Sequence, residues 1–196
     1  MMYWMYFKRC LVLFSALFAV LFAALVQPVW AKTVTSAQSS AAVVASSSPQ
    51  ITALFSPQDN IEQAIVAAIG RANKQILVQA YLLTDNKISD ALIAAHKRGV
   101  AVQVMLDAER SKTKASDGQR MSDAGIEVRL ETAYENAHNK VMILDGALLI
   151  SGSYNFTYAA QFKNAENIML IKNAPQLIAQ YTQNWRNHFA VAVPFK

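Results

Sequence analysis

Cysteine is almost absent from this sequence. The single copy, Cys10, lies in the apolar leader, so the rest of the chain can form no internal disulfide and carries no thiol chemistry. Histidine is scarce too: there are three copies, His96, His138 and His188, and no two stand four apart. The carboxylates do not gather into a cluster. Together these gaps leave no metal-ligand pattern and point to no cofactor. There is also no internal repeat. A chain of 196 residues can bury one proper core but not two comfortable ones.

Apolar residues make up 54% of the chain but are unevenly spread. Lys8 and Arg9 precede an unbroken run from Leu11 to Val26 whose only polar residue is Ser15, and small residues follow at Val29 and Ala31. A basic start, an apolar stretch and a small-residue site predict a secretory signal over residues 1–31, cut after Ala31. The alternative is an uncleaved membrane anchor over residues 11–26, although a run of 16 is short for a spanning helix. Either way the chain is expected to be exported, to the periplasm or beyond. Loss of the leader leaves 16 basic against 13 acidic residues, a net charge of about +3. That balance suits a polyanionic partner without demanding one.

Residues 32–50 are Ser, Ala, Thr, Val and Gln with no glycine and almost no charge, which predicts a flexible tether. The folded domain is expected over 51–196. Ser56, Pro57 and Asp59 read as a helix start, followed by Ile61, Ala64, Ile65, Ala68 and Ile69 at helical spacing. A strand over 76–83, a helix through Ile88, Leu92 and Ala95 stopped by Gly99, and a strand from Val100 to Asp107 come next. A short helix near 119–124 and a strand over 126–130 continue the alternation. Strands over 141–144 and 148–151 are joined by a tight turn at Asp145-Gly146. A strand over 168–171 and a last helix opened by Pro175 complete the chain. The rhythm predicts a single α/β sandwich: a mostly parallel or mixed sheet with helices on both faces.

The chemistry concentrates between His138 and Asn155. In a strand, side chains two apart share a face, so His138 and Lys140 project together, and Val141 to Leu144 anchor them in the core. Ser153 and Asn155 repeat that spacing just beyond the next strand. An imidazole, an ammonium, a hydroxyl and an amide converging on one spot suit attack on a phosphodiester. The donors would neutralise the non-bridging oxygens as the transition state forms. A lone His-x-Lys is usually a solvated strand end, but Gly-Ser-x-Asn a few residues later makes coincidence far less plausible.

These residues resemble the HKD signature of the phospholipase D superfamily, with its G-S-x-N follow-on. The chain is most similar to the small single-motif bacterial Nuc-type endonucleases. The resemblance runs from about Ile51 to the last helix and includes the Asn164-Ala165-Glu166-Asn167 segment. It implies that His138 is a nucleophile forming a phosphohistidine, and that Lys140 and Asn155 bind phosphate oxygens with Ser153 assisting. Glu166 falls where the family has a carboxylate hydrogen-bonded to the histidine ring. Asp145 belongs to the signature, yet its place at a turn suggests a structural role. The reaction also needs a second, protonated histidine for the leaving oxygen. This chain has no second motif: His96 sits at a helix C-terminus, and His188 has no Lys two residues on. The resemblance therefore implies a homodimer that brings two copies of His138 together.

The same resemblance leaves the substrate open. Nucleic acid is the first expectation, with Lys112, Lys114 and Arg120 as cations that could track a phosphate backbone. Asp107 and Glu109 read as helix caps or partners of Arg110. Phospholipid headgroups are the alternative, with membrane contact only if the leader stays. A catalytically silent dimeric binding module comes third, and the intact motif speaks against it.

Overall fold

The computed structural model describes residues 48–112 and 117–196. The leader, tether residues 32–47 and Lys114 lie outside these. Three strands run parallel side by side: β2 (Gln75–Ala80) and β3 (Ala101–Asp107), both largely apolar, and the more polar β4 (Glu127–Glu131). β2 and β3 are buried on both faces, as such apolar runs require. β5 (Lys140–Leu144) pairs antiparallel with β2, and β6 (Leu148–Gly152), β7 (Glu166–Lys172) and β1 (Gln50–Ser56) add on outward, each antiparallel to the last. A two-residue strand, β8 (Val193–Pro194), closes beside β4, giving the order β1-β7-β6-β5-β2-β3-β4-β8.

Helices cover both faces. On one side α1 (Ile61–Arg71), α2 (Asn86–Lys97) and α4 (Gly118–Asp123) press Ile61, Ile65, Ile69, Ile88, Leu92 and Met121 against Val78, Val104 and Met142. On the other, α6 (Pro175–Val191) packs Ile178, Trp185 and Phe189 on Leu77, Met105, Val141 and Ile143. The Trp185 indole N–H donates to the Val78 carbonyl at 3.0 Å, so the ring buries without orphaning its polar edge. Two short helices, α3 (Ala108–Ser111) and α5 (Tyr158–Phe162), stand after β3 and β6. The expected α/β sandwich with helices on both faces is the fold.

The first helix starts later than its sequence predicts. Ser56 ends β1, and its hydroxyl donates to the Ala160 carbonyl at 2.6 Å and accepts from the Glu166 amide at 3.2 Å, so it caps nothing. Asn60 is the cap, accepting from the Gln63 amide at 3.0 Å. The edge strand was hidden because Thr52, Ala53 and their neighbours are mostly exposed and bury no alternating face. The strand predicted over 76–83 stops at Ala80; beyond it Leu83 makes only a single bridge to Phe156.

Candidate active site

The parallel strands deliver their C-terminal ends to one rim, where sites in such sheets form. Asp107 ends β3 nearly fully buried. Its carboxylate accepts from the Arg110 amide and from the Ala137 amide, both at 2.8 Å. It therefore caps α3, as one sequence reading held, and also pins the residue before His138. Lys140 opens β5 opposite Ala80, and its side chain is 6% exposed whereas that of His138 faces solvent.

Lys140 Nζ donates to the His138 carbonyl at 2.8 Å and lies 4.8 Å from the centre of the Tyr81 ring. That ring is tilted against the His138 imidazole with centroids 4.4 Å apart. The Tyr81 hydroxyl accepts from Arg110 Nε and donates to Asn136 at 3.3 Å. Tyr81 thus stands between the imidazole, the ammonium and the guanidinium. Sequence reading missed it, and took Arg110 as a possible partner of Asp107 or Glu109. The signal available was position: Tyr81 follows directly on a parallel strand's C-terminal end.

Burial pulls the Lys140 ammonium down to about 8, against the opposing pull of the Glu166 charge. Burial also lowers the His138 imidazole, and the positive charges of Lys140 and Arg110 add to this while Asp107 resists. The shift favours the free base of His138, the form in which an imidazole can act as a nucleophile.

Beyond β6 the chain must pass very close to β7. A Cβ on Gly152 would lie 2.1 Å from the Asn167 carbonyl oxygen, so only glycine fits. Ser153 then locks onto β7: its amide donates to the Asn167 carbonyl and its hydroxyl accepts from the Asn167 amide, both at 3.0 Å. Asn155 is half-buried, and among the described residues neither its side-chain oxygen nor the hydroxyl of fully buried Tyr154 has a hydrogen-bond partner. Burial, then the charges of Asp85, Glu62 and Glu166, push the Tyr154 phenol well above its ordinary range.

The other residues singled out by the sequence make contacts of their own. Glu166 accepts from Asn164 at 2.9 Å, and the carboxylate–imidazole bond that the resemblance implies is not made within this chain. What Glu166 does there is supply negative charge to Lys140. Arg120 bonds Asp90, Asp117 and the Asn86 carbonyl, clamping α4 to α2 instead of facing the site. Lys112 is exposed and pairs with Glu109 at 2.6 Å. Asp145 turns its carboxylate to the amides of Asn73, Lys74 and Gln75 at 2.8–3.0 Å, a structural clamp. His188 is bonded to buried Glu131 on the α6 face, and His96 ends α2.

A family profile described as "Cardiolipin synthase, PLD-like domain" matches residues 65–189. The phospholipase D of Rickettsia typhi is 44% identical over 121 residues, 62% of this chain and 59% of that one. The mitochondrial cardiolipin hydrolase of Chlamydomonas reinhardtii is 33% identical over 60% of this chain and 52% of its own length. The chain thus spans less than two thirds of these relatives. The crystal structure of a phospholipase D family member, Nuc from Salmonella typhimurium, aligns with a TM-score of 0.72 at 31% identity, covering 76% of this chain and 99% of that one. With His138 and Lys140 at the strand ends of that fold, the chain belongs to the phospholipase D-like family.

Proposed function

We propose that this protein is an exported, metal-independent phosphodiesterase, and specifically an endonuclease that cleaves DNA or RNA in a site shared by two copies of the chain. The observation that carries the reading is the exposed imidazole of His138 set against the buried ammonium of Lys140. His138 attacks phosphorus and forms a P–N bond as the P–O bond to the leaving oxygen breaks. That oxygen takes a proton from the imidazolium of the partner subunit's His138. Water then attacks the phosphohistidine, gives its proton back to the partner's imidazole, and the P–N bond breaks. Lys140 and the Asn155 amide stabilise the non-bridging oxygens. Poorly solvated, the Lys140 charge acts more strongly on phosphate than it would in water.

The dimer is supported by the histidine inventory: His96 ends α2 and His188 is bonded to Glu131, which leaves a second His138 as the candidate proton donor. Nucleic acid is favoured by the basic sequence, with a pI near 9.4, and by the likeness to Nuc over nearly that whole chain. The relatives named phospholipase D support lipid headgroups as the second reading. Export rests on the leader, and the mass of the protein recovered from cells reads whether residues 1–31 are removed.

The deciding experiment sets DNA, RNA and phosphatidylcholine vesicles side by side in excess EDTA. The nucleic acids should be cut and the lipid spared, with His138→Ala losing turnover by several orders of magnitude while keeping its circular dichroism spectrum. Activity lost on chelation and restored by a divalent ion would refute the metal-free mechanism; lipid turnover alone would hand the function to the second reading.

A further inference from the structure

Across the loop from Tyr81, α5 turns two aromatic side chains outward. Tyr158 and Phe162 are 59% and 50% exposed, and their rings lie 4.5 Å apart at 38° to each other. Four residues apart on a helix, they share one face. The opposite face of α5 is firmly held. Ala160 and Gln161 are buried, and the Gln161 side chain accepts from the Glu62 amide and donates to the Asp59 carbonyl, both at 3.0 Å. Thr157 caps the helix by accepting from the Ala160 amide. The aromatic pair is therefore presented on a fixed support.

Between the pair and residues 84–87 lies a cleft of about 280 Å³, walled by Tyr158, Phe162, Thr84, Asn86 and Lys87. Thr84 also lines the recess that holds Tyr81 and Arg110, and its amide donates to the carbonyl of Phe156, the neighbour of Asn155. Thr84 thus borders both the aromatic cleft and the Tyr81–Arg110 side, and is bonded next to Asn155. We propose that Tyr158 and Phe162 form a stacking subsite for a nucleobase next to the scissile phosphate, which makes unpaired strands the preferred substrate. This rests on the nuclease reading above. An exposed ring can take up a base face only where that base has left its duplex neighbours, and stacking of this kind tolerates any base.

The acids of the cleft fit this occupant better than a lipid bilayer. Asp85 and Glu62 are each 5% exposed, Asp85 accepting from the first amides of α2 and Glu62 from Lys87 Nζ at 2.6 Å. Neither offers a bare charge to a phosphate backbone. Two carboxylates at the base of an aromatic cleft are costly to bring against acyl chains but compatible with the polar edge of a base.

The test compares the wild-type dimer with Tyr158→Ala/Phe162→Ala on a single-stranded oligonucleotide, its duplex and an abasic strand of equal length. Wild type should prefer the base-bearing single strand to both others. The double variant should lose that preference over the abasic strand about tenfold or more, and Tyr158→Trp/Phe162→Trp should restore it. An unchanged preference in the Ala variant overturns the subsite. So does a loss of dimer in sedimentation, which would make the pair an interface, or a selective loss of binding to anionic vesicles, which would make it a membrane contact. If wild type cuts none of the three strands, the nuclease reading itself falls, and the subsite with it.

Discussion

An ammonium held out of water is pushed toward its neutral form unless charge or hydrogen bonds compensate. For Lys140 the compensation is partial: one carbonyl, one aromatic face and the charge of Glu166. With its value brought down to about 8, Lys140 is charged below that pH and loses its charge as the pH rises through it. Phosphate stabilisation should weaken over the same interval, so kcat/KM should fall on the alkaline side near pH 8. Lys140→Arg carries a guanidinium that does not titrate there, so its alkaline limb should move upward, although altered reach will lower the rate. A limb that stays in place would assign it to another group, the proton-donating imidazole first among them.

The residue scale also marks how legible the site was. His138 and Lys140 stand out because spacing in a strand puts them on one face. Tyr81 does not: a single tyrosine after a strand is unremarkable in sequence, and only the pairing of β2 with β5 brings it against the imidazole. Arg120 failed for the opposite reason. A cation in a basic stretch looks available, but Asp90 on α2 and Asp117 are near only once the helices have packed.

At the scale of elements, the β5–β6 hairpin shows how a motif residue serves structure. Asp145 and Gly146 have φ of 55° and 63°, the positive values that a tight hairpin turn requires and that Asp and Gly tolerate. The Asp145 carboxylate then reaches across to three amides between α1 and β2, so one residue turns the hairpin and ties down the start of the central strand. Burial works against its charge, but the three hydrogen bonds prevail and hold the carboxyl below its usual range. Its stabilisation is present above the unfolded value near 3.8 and lost as pH falls through the lower folded value. Asp145→Ala should lower stability by about 2 kcal/mol in urea denaturation at pH 7, and the gap to wild type should shrink in acid. An equal midpoint for both proteins at pH 7 would show that the clamp carries no net stability. The turn could be read from the Asp-Gly pair; the amides it grips could not, being about 70 residues away.

For the whole molecule, the consequence of a single motif is assembly. If the proton donor is the partner subunit's His138, activity needs the dimer. Specific activity should therefore fall on dilution in step with dissociation measured by sedimentation. Mixing His138→Ala with wild-type chains should give inactive heterodimers, because the shared site then lacks one of its two histidines. A monomer that keeps full specific activity would refute the shared site.

Periodicity was enough for the central α/β alternation and for both helical layers, because burying one face of a helix or a strand imposes a period that can be counted. It was enough to set His138 and Lys140 together as well, since their relation is local. The edge strand β1 and the short helix α5 escaped it. β1 is held by backbone pairing with β7, at least 110 residues away, and not by an alternating buried face. The setting of Lys140 escaped it too: β5 lies between β2 and β6, an arrangement that lowers its proton affinity and brings up Tyr81, while the approach of β7 forces glycine at position 152. Spacing along the chain decided which groups could react; packing across the sheet decided what surrounds them, because burial and charge depend on neighbours that sequence distance does not reveal.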